Sequence, residues 1–142
     1  MDDLDSIYTD VIMEHSTATY NKHKLQDATN SEHGHNPSCG DDITLEIKKD
    51  GDTITDLAFT GHGCAISQAS TSIMIDLLKG KTVEQATKLI SIFIRMIKRE
   101  DVSEEELNEL EEAQALKNIS NMPARVKCAE LAWYTMQKLL EK

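Results

Sequence analysis

Ile43-Thr44-Leu45-Glu46-Ile47 and Ile54-Thr55-Asp56-Leu57-Ala58-Phe59, separated by Asp50-Gly51 and followed by Gly61-His62-Gly63-Cys64, encode a hairpin that runs into a helix. In the first run apolar and polar residues alternate, the two-residue period of a strand with one buried face. Asp50-Gly51 supplies a tight turn, so the second run returns antiparallel to the first. Ile54 and Leu57 have opposite parity whereas Leu57 and Phe59 agree, and this predicts a bulge or register adjustment near Thr55. Gly61 and Gly63 end the strand. Ile66, Ala69, Ile73, Met74 and Leu77 then recur at helical spacing as far as Gly80, a helix C-cap, so Cys64 falls at a helix start.

Outward from the hairpin, residues 3 to 20 place Leu4, Ile7, Tyr8, Val11 and Ile12 on one helical face, with Asp2, Asp3 and Asp5 at the end where the helix dipole favours negative charge. Asn21 to Ser38 is polar, contains His23, His33 and His35, and has no periodicity; it reads as an extended surface loop with solvated histidines. Thr82 to Gln85 fits a capping box that opens a helix with a dense apolar run from Leu89 to Ile97. That run is core rather than membrane span, being far short of the roughly 20 residues a span needs and interrupted by Arg95. Ser103 to Glu106 is a second capping box, expected to start a solvated acidic helix reaching Glu112. Pro123 announces a last helix that buries Ala129, Ala132, Trp133, Met136, Leu139 and Leu140, with Lys138 and Lys142 suited to its C-terminal end.

At 142 residues the chain is one domain, residues 1–142. Fifteen Lys and Arg against 25 Asp and Glu give a net charge of −10, which argues against nucleic acid and anionic membranes and for a partner with a basic face. No phosphate-binding glycine loop is present, and Gly61-x-Gly63 lacks the third glycine of a dinucleotide site. The three cysteines are an odd number and cannot close a disulfide framework. With an acidic start unlike a signal peptide, the sequence reads as cytoplasmic and reduced.

Each cysteine sits at the edge of an element. Cys39 lies in Pro37-Ser38-Cys39-Gly40-Asp41, where one tight turn can offer a thiolate and a carboxylate to the same point. Cys64 follows two glycines at a helix N-terminus, where backbone N–H groups lower a thiol's pKa, and Cys128 lies about a turn into the last helix, again near a positive helix end. If they converge, three thiolates and Asp41 form a four-ligand set for tetrahedral Zn²⁺ or an iron–sulfur cluster. The long gaps do not choose between metals, and His62, two residues before Cys64, competes with Asp41 as the fourth ligand.

Asn36-Pro37-Ser38-Cys39-Gly40-Asp41, Gly61-His62-Gly63-Cys64-Ala65-Ile66-Ser67 with Ala69-Ser70, and Arg125-Val126-Lys127-Cys128-Ala129 together resemble the SufU branch of the IscU/NifU-N-like iron–sulfur cluster assembly proteins. The resemblance implies an α+β fold, a small antiparallel β-sheet covered on one face by helices, with the three cysteine segments meeting at one end. It implies that Cys39, Asp41, Cys64 and Cys128 bind one Zn²⁺ per chain. The implied activity is zinc-dependent sulfur transfer: Cys39, on the loop side of the site, accepts persulfide sulfur from a SufS-like cysteine desulfurase, a histidine of which takes over the vacated zinc position. Arg125 is placed to orient partner or sulfur, and downstream Suf-type cluster assembly proteins receive the sulfur. The alternative is a scaffold on which the same residues hold iron or a nascent [2Fe–2S] cluster. Lys127 stands where scaffolds of the family carry histidine, and the stretch from Arg95 to Lys117 resembles the extra segment of the SufU branch; both favour transfer.

Overall fold

The computed structural model describes residues 3–142, with side chains from Tyr8 onward. Asp2 and the side chains of Asp3, Leu4, Asp5 and Ile7 lie outside the described residues. The element order is α1 (Asp3–Thr17), β1 (Asn30–Asn36), β2 (Asp41–Asp50), β3 (Thr53–His62), α2 (Ala65–Leu78), α3 (Val83–Ile97), α4 (Glu104–Glu109), a 3-10 segment (Glu111–Asn121) and α5 (Pro123–Leu140). The strands form one antiparallel sheet in the order β1-β2-β3.

The hairpin forms as its alternation requires. Ile43, Leu45 and Ile47 are fully buried, and Thr44 and Glu46 between them are half-buried on the other face. Across β2 and β3, Lys48 pairs with Asp56 and Lys49 with Ile54, so Thr55 is the extra residue of a bulge that turns both Ile54 and Leu57 inward. Helices α2 and α5 cover the buried face, and α1, α3 and the 3-10 segment pack behind them. Between α3 and α5 the rings of Phe93 and Trp133 stack at 3.8 Å, while Trp133 Nε1 donates to Ser70 Oγ of α2 at 2.9 Å. Both capping boxes are present, at Thr82 with Gln85 and at Ser103 with Glu106. Arg95, the interruption in the apolar run, forms an ion pair with Glu106 that pulls the Glu106 carboxyl down to about 2 and fastens α4 to α3. Among the described residues no helix is long and apolar enough to cross a membrane.

Three expectations are corrected. The segment from Asn21 to Ser38 is not a surface loop throughout: residues 30–36 are the edge strand β1, and Asn21 is buried, with its carbonyl accepting from Phe59 N–H at 3.0 Å. β1 escaped pattern recognition because its inward positions are Gly34 and Asn36 rather than apolar residues. Gly34 lies so close to α5 that a Cβ there would sit 2.1 Å from Thr135 Oγ1. The strand is therefore held by its ladder and by close approach of a helix, not by burial of apolar side chains of its own.

The first helix stops at Thr17 instead of residue 20. Ser16 Oγ and Thr17 Oγ1 donate back to Met13 and Glu14 carbonyls at 2.7 and 3.4 Å, the competition by which hydroxyl side chains loosen a helix end. The acidic helix expected to reach Glu112 ends at Glu109, and Glu111 takes φ +49° at the start of the 3-10 turns. Leu110, Ala113, Leu116 and Ile119 are buried at three-residue intervals. That is the 3-10 period, and it aligns them on one face toward the core where an α-helix would fan them apart.

Gly34→Ala is expected to destabilise the protein by about 1–3 kcal/mol, the usual cost of overpacking. Adding Thr135→Ala removes the clashing hydroxyl, so the double variant should be more stable than additivity allows. Denaturant melts of all four proteins read this, and additive effects would show that β1 and α5 do not meet at Gly34.

Candidate functional site

The turn from β1 to β2 and the N-terminal ends of α2 and α5 converge at one end of the sheet. In the turn, Asn36 Oδ1 accepts from Ser38 N–H at 3.2 Å, its carbonyl accepts from Cys39 N–H at 3.3 Å, and Cys39 is half-buried. Asp41 opens β2 on the inward parity and is fully buried. Its Oδ1 accepts the N–H of Cys64, the N-cap residue of α2, at 2.9 Å. Its Oδ2 is buried without a hydrogen-bond partner among the described residues. Gly63 makes this contact possible, since a Cβ there would lie 2.5 Å from Asp41 Oδ1.

Cys128 is buried on α5, and its thiol donates to Cys39 sulfur at 2.7 Å. The ligand atoms of Cys39, Asp41 and Cys128 all lie within 4.8 Å of one another. Cys64 is outside that set, although its backbone N–H donates to Asp41. Burial first, then the hydrogen bonds with Cys39 and Cys64, push the Cys128 thiol well above its ordinary range. This reverses the helix-end expectation for Cys128, because desolvation in the core outweighs the dipole of a helix start five residues away.

His62 is not part of the cluster. It pairs with Asp42, and side chains alternate along a strand, so it shares the exposed face with Asp42 while Asp41 points inward. His33 and His35 are exposed as expected, but on a strand. His33 Nε2 contacts Asp42 Oδ1 at 2.9 Å, and that hydrogen bond is the main reason the Asp42 carboxyl lies below its usual range. Arg125 is exposed in the first turn of α5, with no side-chain ion pair among the described residues. Sequence reasoning passed over Ser67 and Glu130. Ser67 Oγ is buried without a partner and would touch a Cβ at Gly63, which puts it beside Asp41. Glu130, two residues beyond Cys128, is half-buried, and desolvation raises its carboxyl. Ser67 stands in the motif that carries the family resemblance but has no role there, and Glu130 stands in no motif; their places beside the cluster follow from the packing of α2 and α5.

A buried carboxylate with an orphaned oxygen is costly unless a cation meets it. Here that carboxylate belongs to a cluster with two thiols, and the backbone N–H of a third cysteine donates to it. Sulfur-rich donors with one carboxylate suit tetrahedral zinc, so the residues fit such an ion.

The NifU-like N terminal domain family model matches residues 7–142. The chain belongs to this family. Among its relatives, the zinc-dependent sulfurtransferase SufU of Bacillus subtilis is 40% identical over 139 residues, covering 98% of this chain and 92% of the relative. The iron-sulfur cluster assembly scaffold protein IscU of Thermotoga maritima is 39% identical, covering 96% of this chain and 94% of the relative. The crystal structure of a putative iron-sulfur cluster assembly scaffold protein for the SUF system from Fervidobacterium islandicum superimposes with a TM-score of 0.88 at 38% identity, covering 95% of this chain and 97% of that one. The α+β fold implied by the sequence resemblance is thus the fold of this NifU-like domain and of its solved relatives.

Proposed function

We propose that the chain is a zinc-dependent sulfurtransferase that accepts persulfide sulfur from a SufS-like cysteine desulfurase and hands it to Suf-type proteins assembling iron–sulfur clusters. The observation that carries this reading is the fully buried Asp41, one oxygen orphaned, within 4.8 Å of the sulfurs of Cys39 and Cys128. The likeness to a protein named for zinc-dependent sulfur transfer supports it. Cys39, Asp41, Cys64 and Cys128 are the proposed ligands of one Zn²⁺, which when bound keeps the thiols deprotonated at neutral pH.

The chain's own residues then divide the work. Cys64 and Cys128 are anchored on helices, whereas Cys39 sits on a turn and can leave the cluster without unpacking the core. The Cys39 thiolate attacks the outer sulfur of the desulfurase persulfide. A new S–S bond forms on Cys39, the old one breaks, and the desulfurase cysteine departs as thiolate, so no external oxidant or reductant is needed. Exposed, unpaired Arg125 is free to meet the anionic persulfide or an acidic group of the partner. The reading assigns the chain to the cytoplasm, where thiols stay reduced.

Purified protein is expected to be colourless and to hold one zinc ion per chain by elemental analysis. After incubation with iron and sulfide it should gain no stable visible absorbance band. A brown protein that has exchanged zinc for a cluster would overturn the transfer reading in favour of the scaffold.

A further inference from the structure

His15, Asp76 and Glu112 come from three elements, α1, α2 and the 3-10 segment, and their ligand atoms lie within 4.8 Å of one another. His15 Nε2 is 3.7 Å from Asp76 Oδ2 and 3.8 Å from Glu112 Oε1, and its side chain is only 6% exposed. That nitrogen has no hydrogen-bond partner among the described residues; the ring's other nitrogen, Nδ1, contacts Ser72 Oγ at 2.8 Å. Ligands about 2.1 Å from a tetrahedral ion stand about 3.4 Å apart, so His15 Nε2 needs to approach each carboxylate by only a few tenths of an ångström.

We infer that His15 Nε2, Asp76 and Glu112 form a second site, for a divalent first-row metal ion, distinct from the cysteine cluster and independent of the proposed sulfur transfer. The supporting groups are those that orient metal ligands. Ser72 fixes the imidazole through Nδ1, which leaves the Nε2 lone pair facing the carboxylates when Nδ1 carries the proton. Tyr20 OH donates to Asp76 Oδ2 at 2.7 Å and Asn21 Nδ2 to Oδ1 at 2.9 Å, holding that carboxylate in place. Burial and the bond to Asp76 push the Tyr20 phenol up to about 12, so it remains a donor. Neither Asp76 nor Glu112 pairs with Lys or Arg among the described residues, so the charge of the two carboxylates is left for a divalent cation.

The location suggests the purpose. Cys64 caps the start of α2 and Asp76 lies 12 residues on, so the two sites are about 18 Å apart along the helix. A cation at the second site ties α1 and the 3-10 segment to the far end of α2. One imidazole and two carboxylates with solvent access is a hard-to-borderline set that accepts Mn²⁺, whereas thiolates retain zinc.

Manganese therefore probes the second site in the zinc-loaded, full-length protein, with unbound Mn²⁺ read by electron paramagnetic resonance at pH 7.5. Wild type should bind one Mn²⁺ per chain well above the background of the acidic surface. Glu112→Gln, at an exposed position that the fold tolerates, and Asp76→Asn should each lose at least about tenfold in affinity, while Glu105→Gln, an equal change of charge elsewhere, should lose none. Tyr20→Phe should weaken binding without altering zinc content. Equal Mn²⁺ binding by wild type and Glu112→Gln overturns the site. So does an equal loss in Glu105→Gln, or no binding at all.

Discussion

Cys39→Ala is expected to keep its fold and to lose all stimulation of a SufS-like cysteine desulfurase, so that alanine release falls to the rate of the desulfurase alone. The three cysteines are not equivalent in what their displacement costs. Cys128 is buried on α5, as are Ala129 and Ala132, and Cys64 N–H donates to Oδ1 of a fully buried Asp41. Moving either disturbs helix packing. Cys39 is half-buried on a four-residue turn with a single backbone hydrogen bond at 3.3 Å. Its truncation should change stability by no more than about 1 kcal/mol, in the range of substitutions outside the packed core. Thermal melts, zinc content and alanine release on the same samples separate fold, metal and transfer. Mass spectrometry of wild type after turnover should find one extra sulfur on the peptide carrying Cys39. A folded, zinc-bearing Cys39→Ala protein that stimulates as well as wild type would sink the acceptor assignment.

The parts of this molecule that were legible in its sequence share one property: the signal resides in residues adjacent in the chain. Ile43, Leu45 and Ile47 announce their strand, the parity break after Ile54 announces the bulge, and Thr82 with Gln85 announces a helix start. Motifs around Cys39, Cys64 and Cys128 identify the family, and the ligand atoms of Cys39, Cys128 and Asp41 lie within 4.8 Å of one another. What stayed hidden depends on a partner element. β1 has no apolar alternation because α5 approaches its backbone at Gly34, and no local pattern encodes that approach. Whether Asp41 or His62 faces the cysteines depends on strand parity relative to the sheet, and the pairing of Asp42 with His62 puts His62 on the opposite face from Asp41. The 3-10 segment is a different case: Leu110, Ala113, Leu116 and Ile119 carry a three-residue period in plain view, but the charge of the preceding glutamates drew the reading toward a longer solvated helix.

Placing the cysteine cluster at the junction of three elements also accounts for its chemistry. A site made wholly on one loop could not bury Asp41; here β2 delivers the carboxylate from below, α2 offers it one N–H, and α5 closes the space with Cys128. The second carboxylate oxygen has no donor among the described residues, and Cys128 is left with a proton it holds tightly. Both features favour a folded state completed by a cation. Without one, Cys128 keeps its proton.

That retention of protons has a consequence of definite sign for pH. In the metal-free folded protein the Cys128 thiol is raised above its ordinary value of 9.0, chiefly by burial and then by hydrogen bonds with Cys39 and Cys64. Below about pH 9 the folded and unfolded states both hold this proton, and the group contributes no pH dependence. Above it the unfolded thiol ionises while the folded one does not, so the folded state binds more protons and stability falls as pH rises. The expected slope is about 1.4 kcal/mol per pH unit from this group, appearing in denaturant melts of chelator-treated protein and absent in Cys128→Ala. Zinc reverses the preference, because a ligating sulfur must release its proton. Throughout the neutral range Cys128 alone then requires the apparent zinc affinity to rise at least about tenfold per pH unit, measured by competition with a chromophoric chelator at pH 6.5, 7.5 and 8.5. A shallower rise would mean that Cys128 keeps its proton in the metal-bound protein, and it would remove this residue from the ligand set.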